Sequence, residues 1–237
     1  MAETVSIPSR FNGPLDSGQG GYSAGVVASF IDGPAEVSLR RPVPLDAALE
    51  VVRDDDGSVR LLDGDELVAD GRPAPGFEID VPEPVGLEAA REATTRYLGD
   101  ADGVFSRCFV CGRAREDGFH VFAGEVAGRR VMASPWTPPA WAGDKGGAVR
   151  PEFVWAALDC PASFGTLLNV GASMGVLARF SARIDAPVRA GQEHVVIGWP
   201  AGADGRKTHA GSAVLSADGE VLAAAGALLI TPRDQSR

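Results

Sequence analysis

The sequence predicts an α+β fold in which two curved antiparallel sheets, each wrapped on a central helix, join into one larger sheet. The main reason is a block pattern written twice. Pro42-Val43-Pro44-Leu45-Asp46-Ala47-Ala48-Leu49-Glu50-Val51-Val52 is answered by Pro187-Val188-Arg189-Ala190-Gly191-Gln192-Glu193-His194-Val195-Val196. Val59 to Ala69 is answered by Ser212 to Ala223, with Asp63-Gly64 and Asp218-Gly219 as the matching turns. A short apolar helix candidate stands ahead of each set of blocks. A sheet that covers such a helix must curve.

In the first copy, residues 1–18 read as irregular, with turn signals at Gly13-Pro14 and Ser17-Gly18. Gly21 to Ile31 is small and apolar on nearly every face, the pattern of a buried helix, and Asp32-Gly33-Pro34 stops it. Strand-like runs follow at 35–40, 47–53, 57–63 and 65–72, with Asp56-Gly57 and Asp63-Gly64 as hairpin turns. Pro73, Pro75, Pro82 and Pro84 make 73–84 a connector. Gly86 to Leu98 reads as a helix, since Leu87, Ala90, Ala93, Thr94 and Tyr97 can share one face. The division expected is a first unit over 1–85, a linker helix over 86–104 and a second unit over 105–237.

The second copy opens with Cys108-Phe109-Val110-Cys111-Gly112 and a strand at about 118–124, extended by Val131 to Pro135. Residues 136–149 form a loop rich in Trp, Pro and Gly, and Pro151 to Cys160 is the second buried helix. Val176, Ala178, Phe180, Ala182 and Ile184 alternate with polar neighbours, which predicts a half-buried strand over 175–185. Strands at 192–199, 206–216 and 219–231 follow, with Asp204-Gly205 and Asp218-Gly219 as turns.

An apolar share of 45% and a charged share of 23% over 237 residues are those of an ordinary soluble protein. No run approaches the roughly 18 to 20 apolar residues that cross a bilayer. The opening Met1-Ala2-Glu3-Thr4-Val5-Ser6 lacks the basic flank and apolar stretch of a signal peptide. A cytoplasmic location without membrane insertion is expected. The net charge of −10 argues against nucleic acid as a partner. Arg40 with Arg41, and Arg113 with Arg115, are the local cations that could meet a phosphate; solvated surface arginine is the plainer reading of each pair.

Three cysteines are too few for a disulfide framework. Cys108 and Cys111 form a CxxC, but a tetrahedral zinc site needs four ligands. Cys160 and one of His120, His194 and His209 would complete it only by coincidence of folding. Reduced structural thiols, with no metal and no cofactor, are expected.

With these elements in place the chain resembles the hotdog-fold acyl-CoA thioesterase superfamily in its fused, double-hotdog form. In that superfamily a His-Gly-Gly element opens the central helix, and an acid lies seven positions beyond the second Gly. Here the first half has Gln19-Gly20-Gly21, and the seventh position on is Ala28. The second half has Arg150-Pro151-Glu152, and the seventh position on is Asp159. The Cys108 to Gly112 run followed by Asp117-Gly118-Phe119, and the Asp-Gly-Glu-Val-Leu-Ala run near 218–223, carry the resemblance further. It covers nearly the whole chain. Gln19 stands where the family has His, and the second half lacks the glycine pair.

The resemblance implies a site between the halves, with the helix start of one facing the acid of the other. Hydrolysis of a thioester needs a polarised carbonyl and an activated water. Backbone N–H groups at a helix start supply the first, which assigns Gly20 and Gly21, with the Gln19 side chain as an extra donor. Asp159, after an apolar run that would raise its pKa, supplies the base or nucleophile. The alternative for Asp159 is the cap of a short following helix, because Pro161 suits a first helical turn. Ser23, Glu152 and Thr166 are further substrate-binding candidates. Trp136, Trp141 and Trp155 are candidate walls of an acyl tunnel. Packing is the ordinary role of all of these except Glu152, which favours the dipole of its helix.

The reading expected is an acyl-CoA or acyl-carrier-protein thioesterase with one composite site. CoA or carrier protein enters only as part of the small-molecule acyl thioester. A non-catalytic acyl-thioester binding or sensing protein is the alternative, and a dehydratase acting on an acyl thioester is the third. Such a chain stands alone or builds a homo-oligomer.

Overall fold

The computed structural model describes residues 3–99, 102–169 and 174–233. Among them the strands are β1 (Glu3–Val5), β2 (Ala35–Leu39), β3 (Leu49–Arg53), β4 (Val59–Asp63), β5 (Glu66–Pro73), β6 (Gly124–Glu125), β7 (Met132–Trp136), β8 (Val176–Ile184), β9 (His194–Asp204), β10 (Lys207–Ser216) and β11 (Val221–Ile230). The helices are α1 (Gly20–Ala28), α2 (Leu87–Thr94) and α3 (Pro151–Gly165). The strands form one sheet in the order β1-β3-β4-β5-β2-β8-β11-β10-β9-β7-β6.

That order is a palindrome about the β2–β8 seam. Exchanging β1 for β7, β2 for β8, β3 for β9, β4 for β10 and β5 for β11 maps the order onto its own reverse, with β6 added at one end. The repeated sequence blocks fall on matching elements: the approach to β3 and the β4–β5 hairpin in one half, the approach to β9 and the β10–β11 hairpin in the other. At the seam Ala35 lies opposite Ala182 and Val37 opposite Phe180, all four buried. The fold is an α+β double hotdog.

Helices α1 and α3 meet each other inside the sheet. A Cβ on Gly21 would stand 2.5 Å from the Trp155 carbonyl oxygen, and one on Gly25 would stand 2.6 Å from Glu152 Cα. Successive turns of α1 therefore meet α3 in reverse order, and glycine lets the two backbones come this close. Around the crossing, the Phe11 ring centroid lies 4.4 Å from Tyr22, 4.8 Å from Phe109 and 5.4 Å from Phe153. Aromatic pairs of this kind add roughly 0.5–1.5 kcal/mol each beyond their buried area. Helix α2 packs elsewhere, burying Ala90 and Ala93 with Val131, Ala133, Val195 and Ile197 in a second core.

Several elements differ from expectation. Helix α3 runs through Pro161 to Gly165 instead of stopping at Cys160. The proline removes the N–H that would bond the Ala157 carbonyl, yet packing holds the helix: a Cβ on Gly198 of β9 would stand 1.9 Å from the Pro161 carbonyl oxygen. The strand expected over 118–124 shrinks to β6, because Phe119 and Val121 donate their N–H groups to Phe109 and Val110 of the cysteine segment. Glu3–Val5, read as irregular, is an edge strand on β3. The alternation of β8 is buried only at its middle: Val176 is 50% exposed and Ile184 38%. Among the described residues no helix is long and apolar enough to cross a membrane.

Candidate functional site

Gln19 caps α1. Its extended backbone points the side chain back over the first turn, and Oε1 accepts the Tyr22 N–H at 2.6 Å. That bond fixes the amide, so Nε2 must point the other way, across to α3. There it donates to Asp159 Oδ2 at 2.7 Å, and the Gly21 N–H donates to the same oxygen at 2.8 Å. Ser163, one turn further along α3, donates its hydroxyl to Asp159 Oδ1 at 3.3 Å. The acid of the second half is thus held by the helix start of the first.

Asp159 is buried, with 6% of its surface exposed. Burial pushes its carboxyl up to about 7, with the Gly21 N–H and Ser163 bonds lowering it and the nearby Cys108 raising it. A carboxyl in this range is a stronger base than a solvated one.

The carboxylate, Gln19 and Gly20 line one cavity of about 410 Å³, a volume suited to a small organic ligand. Phe105, Phe164 and Leu177 give it an apolar wall. Arg40, exposed, and Arg41, half-buried, stand at its rim, where they pair with Asp70 and Glu66 respectively.

The structure brings together Gln19, Gly20, Gly21 and Asp159, and it changes what two of them do. Gly21 presents its N–H to Asp159 rather than to open space, and its lack of a side chain serves the helix crossing. Gly20 faces the cavity, and among the described residues no acceptor meets its N–H. Gln19 is both cap and carboxylate donor. The cap alternative for Asp159 is overturned, because the residue sits inside α3 and Pro161 is not a helix start.

The remaining candidates lie outside the cavity wall. Ser23 is fully buried, and its hydroxyl meets no partner among the described residues. Thr166 bonds the Ser163 carbonyl at 2.7 Å, closing the end of α3. Glu152 pairs with Arg150 at 3.3 Å in the first turn of α3. Trp136 and Trp155 are buried in the core, while Trp141, 42% exposed, lies against Phe11 and Phe153 at the edge of the aromatic cluster. Ala28, the counterpart of Asp159 in the first half, is a buried apolar residue.

Two features escaped sequence reasoning. Ser163 touches Asp159 only because α3 continues past Pro161; a helix foreseen to Gly165 would have put the two one turn apart. Cys160 joins Cys108 and Cys111 at the cavity, where the three sulfurs lie within 4.8 Å of one another. The coincidence of folding that a shared site required is realised for Cys160.

No protein-family model and no curated protein sequence matches the chain. Solved structures do. The TesB protein of Mycobacterium avium subspecies paratuberculosis superposes with a TM-score of 0.60 at 13% identity, over 96% of this chain and 90% of that one. A hotdog-fold protein of unknown function from Alicyclobacillus acidocaldarius gives 0.60 at 12% identity, over 97% and 92%. A protein of Novosphingobium aromaticivorans with a provisional thioesterase name gives 0.59 at 13% identity, over 98% and 94%. At these identities the likeness is one of fold, and it spans the whole double unit.

Proposed function

We propose that this hotdog-fold chain hydrolyses acyl thioesters at one composite site, with Asp159 as the base and the start of α1 as the electrophilic pole. The supporting observation is the Asp159 carboxyl, buried at a cavity wall and held across the two halves by Gln19 and Gly21. The thioesterase name of the Novosphingobium neighbour agrees with this reading.

In the proposed reaction the thioester carbonyl lies over Gly20, whose N–H and helix dipole attract oxygen as it gains charge. Asp159 takes a proton from water, and the hydroxide adds to the carbonyl carbon. Collapse of the tetrahedral intermediate breaks the carbon–sulfur bond, and the proton held by Asp159 passes to the departing thiolate. Acid and thiol leave, and the carboxylate is restored. Gln19 keeps Oδ2 oriented throughout and is a positioning residue. Arg40 and Arg41 at the rim suit a phosphate-bearing carrier such as CoA.

A second reading, binding without hydrolysis, is favoured by one observation: two of the donors at the helix start already serve the carboxylate. Incubating the chain with acyl-CoA esters of graded length separates the two, with free thiol release and thermal shift both recorded. Hydrolysis of at least one ester above the uncatalysed rate is the result expected. Thermal stabilisation with no thiol release would transfer the site to the binding reading.

A further inference from the structure

Cys108, Cys111 and Cys160 are buried and free, and their Sγ atoms all lie within 4.8 Å of one another. The Cys108 and Cys160 sulfurs are 3.9 Å apart. Two thiolates on one tetrahedral zinc, each about 2.3 Å from the metal, stand about 3.8 Å from each other. A disulfide requires about 2.05 Å. The Cys108–Cys160 separation is close to that of two ligands on a common ion.

The backbone around the first two cysteines is shaped to the same end. Residues Cys108 to Gly112 form a tight knuckle closed by the Gly112 N–H on the Cys108 carbonyl at 2.9 Å. A Cβ on Gly112 would stand 2.6 Å from the Cys108 backbone nitrogen and oxygen, so the knuckle needs glycine there. Tyr97 braces the knuckle from outside, donating its hydroxyl to the Cys111 carbonyl at 2.6 Å. The third sulfur arrives on α3, from the residue next to Asp159. All three cysteines line the cavity.

We propose that Cys108, Cys111 and Cys160 form a three-thiolate site for a borderline-soft metal ion, zinc in the first instance, whose fourth position opens into the cavity beside Asp159. Thiolate donors select such ions over magnesium and calcium, which take oxygen. Each thiol gives up its proton to solvent as the metal binds. Three protein ligands with one open position is the arrangement of zinc sites that accept an exogenous ligand, in contrast to the closed four-ligand structural kind. This proposal departs from the expectation of reduced structural thiols. The site does not depend on the hydrolase proposal.

The test is a titration of the reduced, metal-free chain with cobalt(II) as a spectroscopic stand-in for zinc. One equivalent should develop thiolate-to-cobalt charge-transfer absorption together with the visible bands of a tetrahedral ion, and zinc should bleach both. Cys111→Ser and Cys160→Ser should weaken binding by more than about tenfold, the loss that even an outer supporting residue can cause. Because buried cysteines can matter for folding, X-ray absorption of the zinc-loaded wild-type chain supplies an independent arm, with three sulfur neighbours at about 2.3 Å expected. Absence of the charge-transfer band, or a zinc shell of nitrogen and oxygen alone, would overturn the proposal.

Discussion

Replacing Gly21 by alanine sets two opposing effects against each other, and the structure decides between them. In an open helix the change would stabilise by roughly 0.5–1 kcal/mol, because alanine loses less backbone freedom on folding. At Gly21 the new methyl would stand 2.5 Å from the Trp155 carbonyl oxygen and 2.6 Å from Asp159 Cβ. Neither is the free end of a flexible side chain, so α1 and α3 must move apart. Overpacking of this kind costs about 1–3 kcal/mol, and two rigid neighbours place the cost at the upper end. The net loss is about 2 kcal/mol, which lowers Tm by roughly 4–8 °C in a chain of this size. Parting the helices also lengthens the Gly21 N–H bond to Asp159, so hydrolysis should fall more than stability does. Gly25→Ala provides the control. Its methyl would meet Glu152 Cα at 2.6 Å, giving a similar Tm loss one turn away from the carboxylate, with a smaller effect on turnover. Differential scanning calorimetry and initial rates on both variants measure this. A Gly21→Ala chain as stable as the wild type, or more so, would refute the close crossing of the two helices as the reason for glycine.

Gln19→Ala removes the cap on Tyr22 N–H and the donor on Asp159 together; stability should fall by about 1 kcal/mol, read by chemical denaturation, and kcat should drop while KM changes little. Alanine in place of both Arg40 and Arg41 should raise KM for a CoA ester without changing kcat, and the rise should vanish for a short thioester lacking phosphates. His194 is buried with its pKa lowered from the ordinary value, first by desolvation. Its unfolded form takes up a proton before its folded form does, so its contribution is present above the unfolded pKa and lost as pH falls through the folded one. Tm of the wild type should therefore decline over that window more steeply than Tm of His194→Gln, and parallel profiles would remove His194 as the cause.

The doubled architecture was legible because its signals are local. Asp63-Gly64 and Asp218-Gly219 mark equivalent hairpins whatever surrounds them, and the small apolar run after Gln19 reads as buried without any partner in view. The site was half legible. Counting seven positions found Asp159 and the gap at Ala28, but the count says nothing of what a carboxylate 138 residues away does to the Gly21 N–H. The sequence assigns the Gly21 N–H to the substrate, and in the fold a carboxylate on the second helix takes it. Pro161 shows the same limit: the local rule ends the helix there, and packing on Gly198 carries it through. Glu3–Val5 is too short to display a period, and it is a strand only because β3 offers an edge.

The most direct test of the composite site is single-turnover hydrolysis by Asp159→Asn with the best ester from the acyl-CoA panel. The amide keeps the size of the side chain and can still accept the Gly21 N–H, but it cannot take a proton from water. A general-base role for Asp159 predicts a rate lower by roughly 10²–10⁴-fold, the usual worth of such a group, with ester binding and Tm close to those of the wild type. A variant that folds, binds ester and hydrolyses it at the wild-type rate would contradict the assignment of Asp159 as the base.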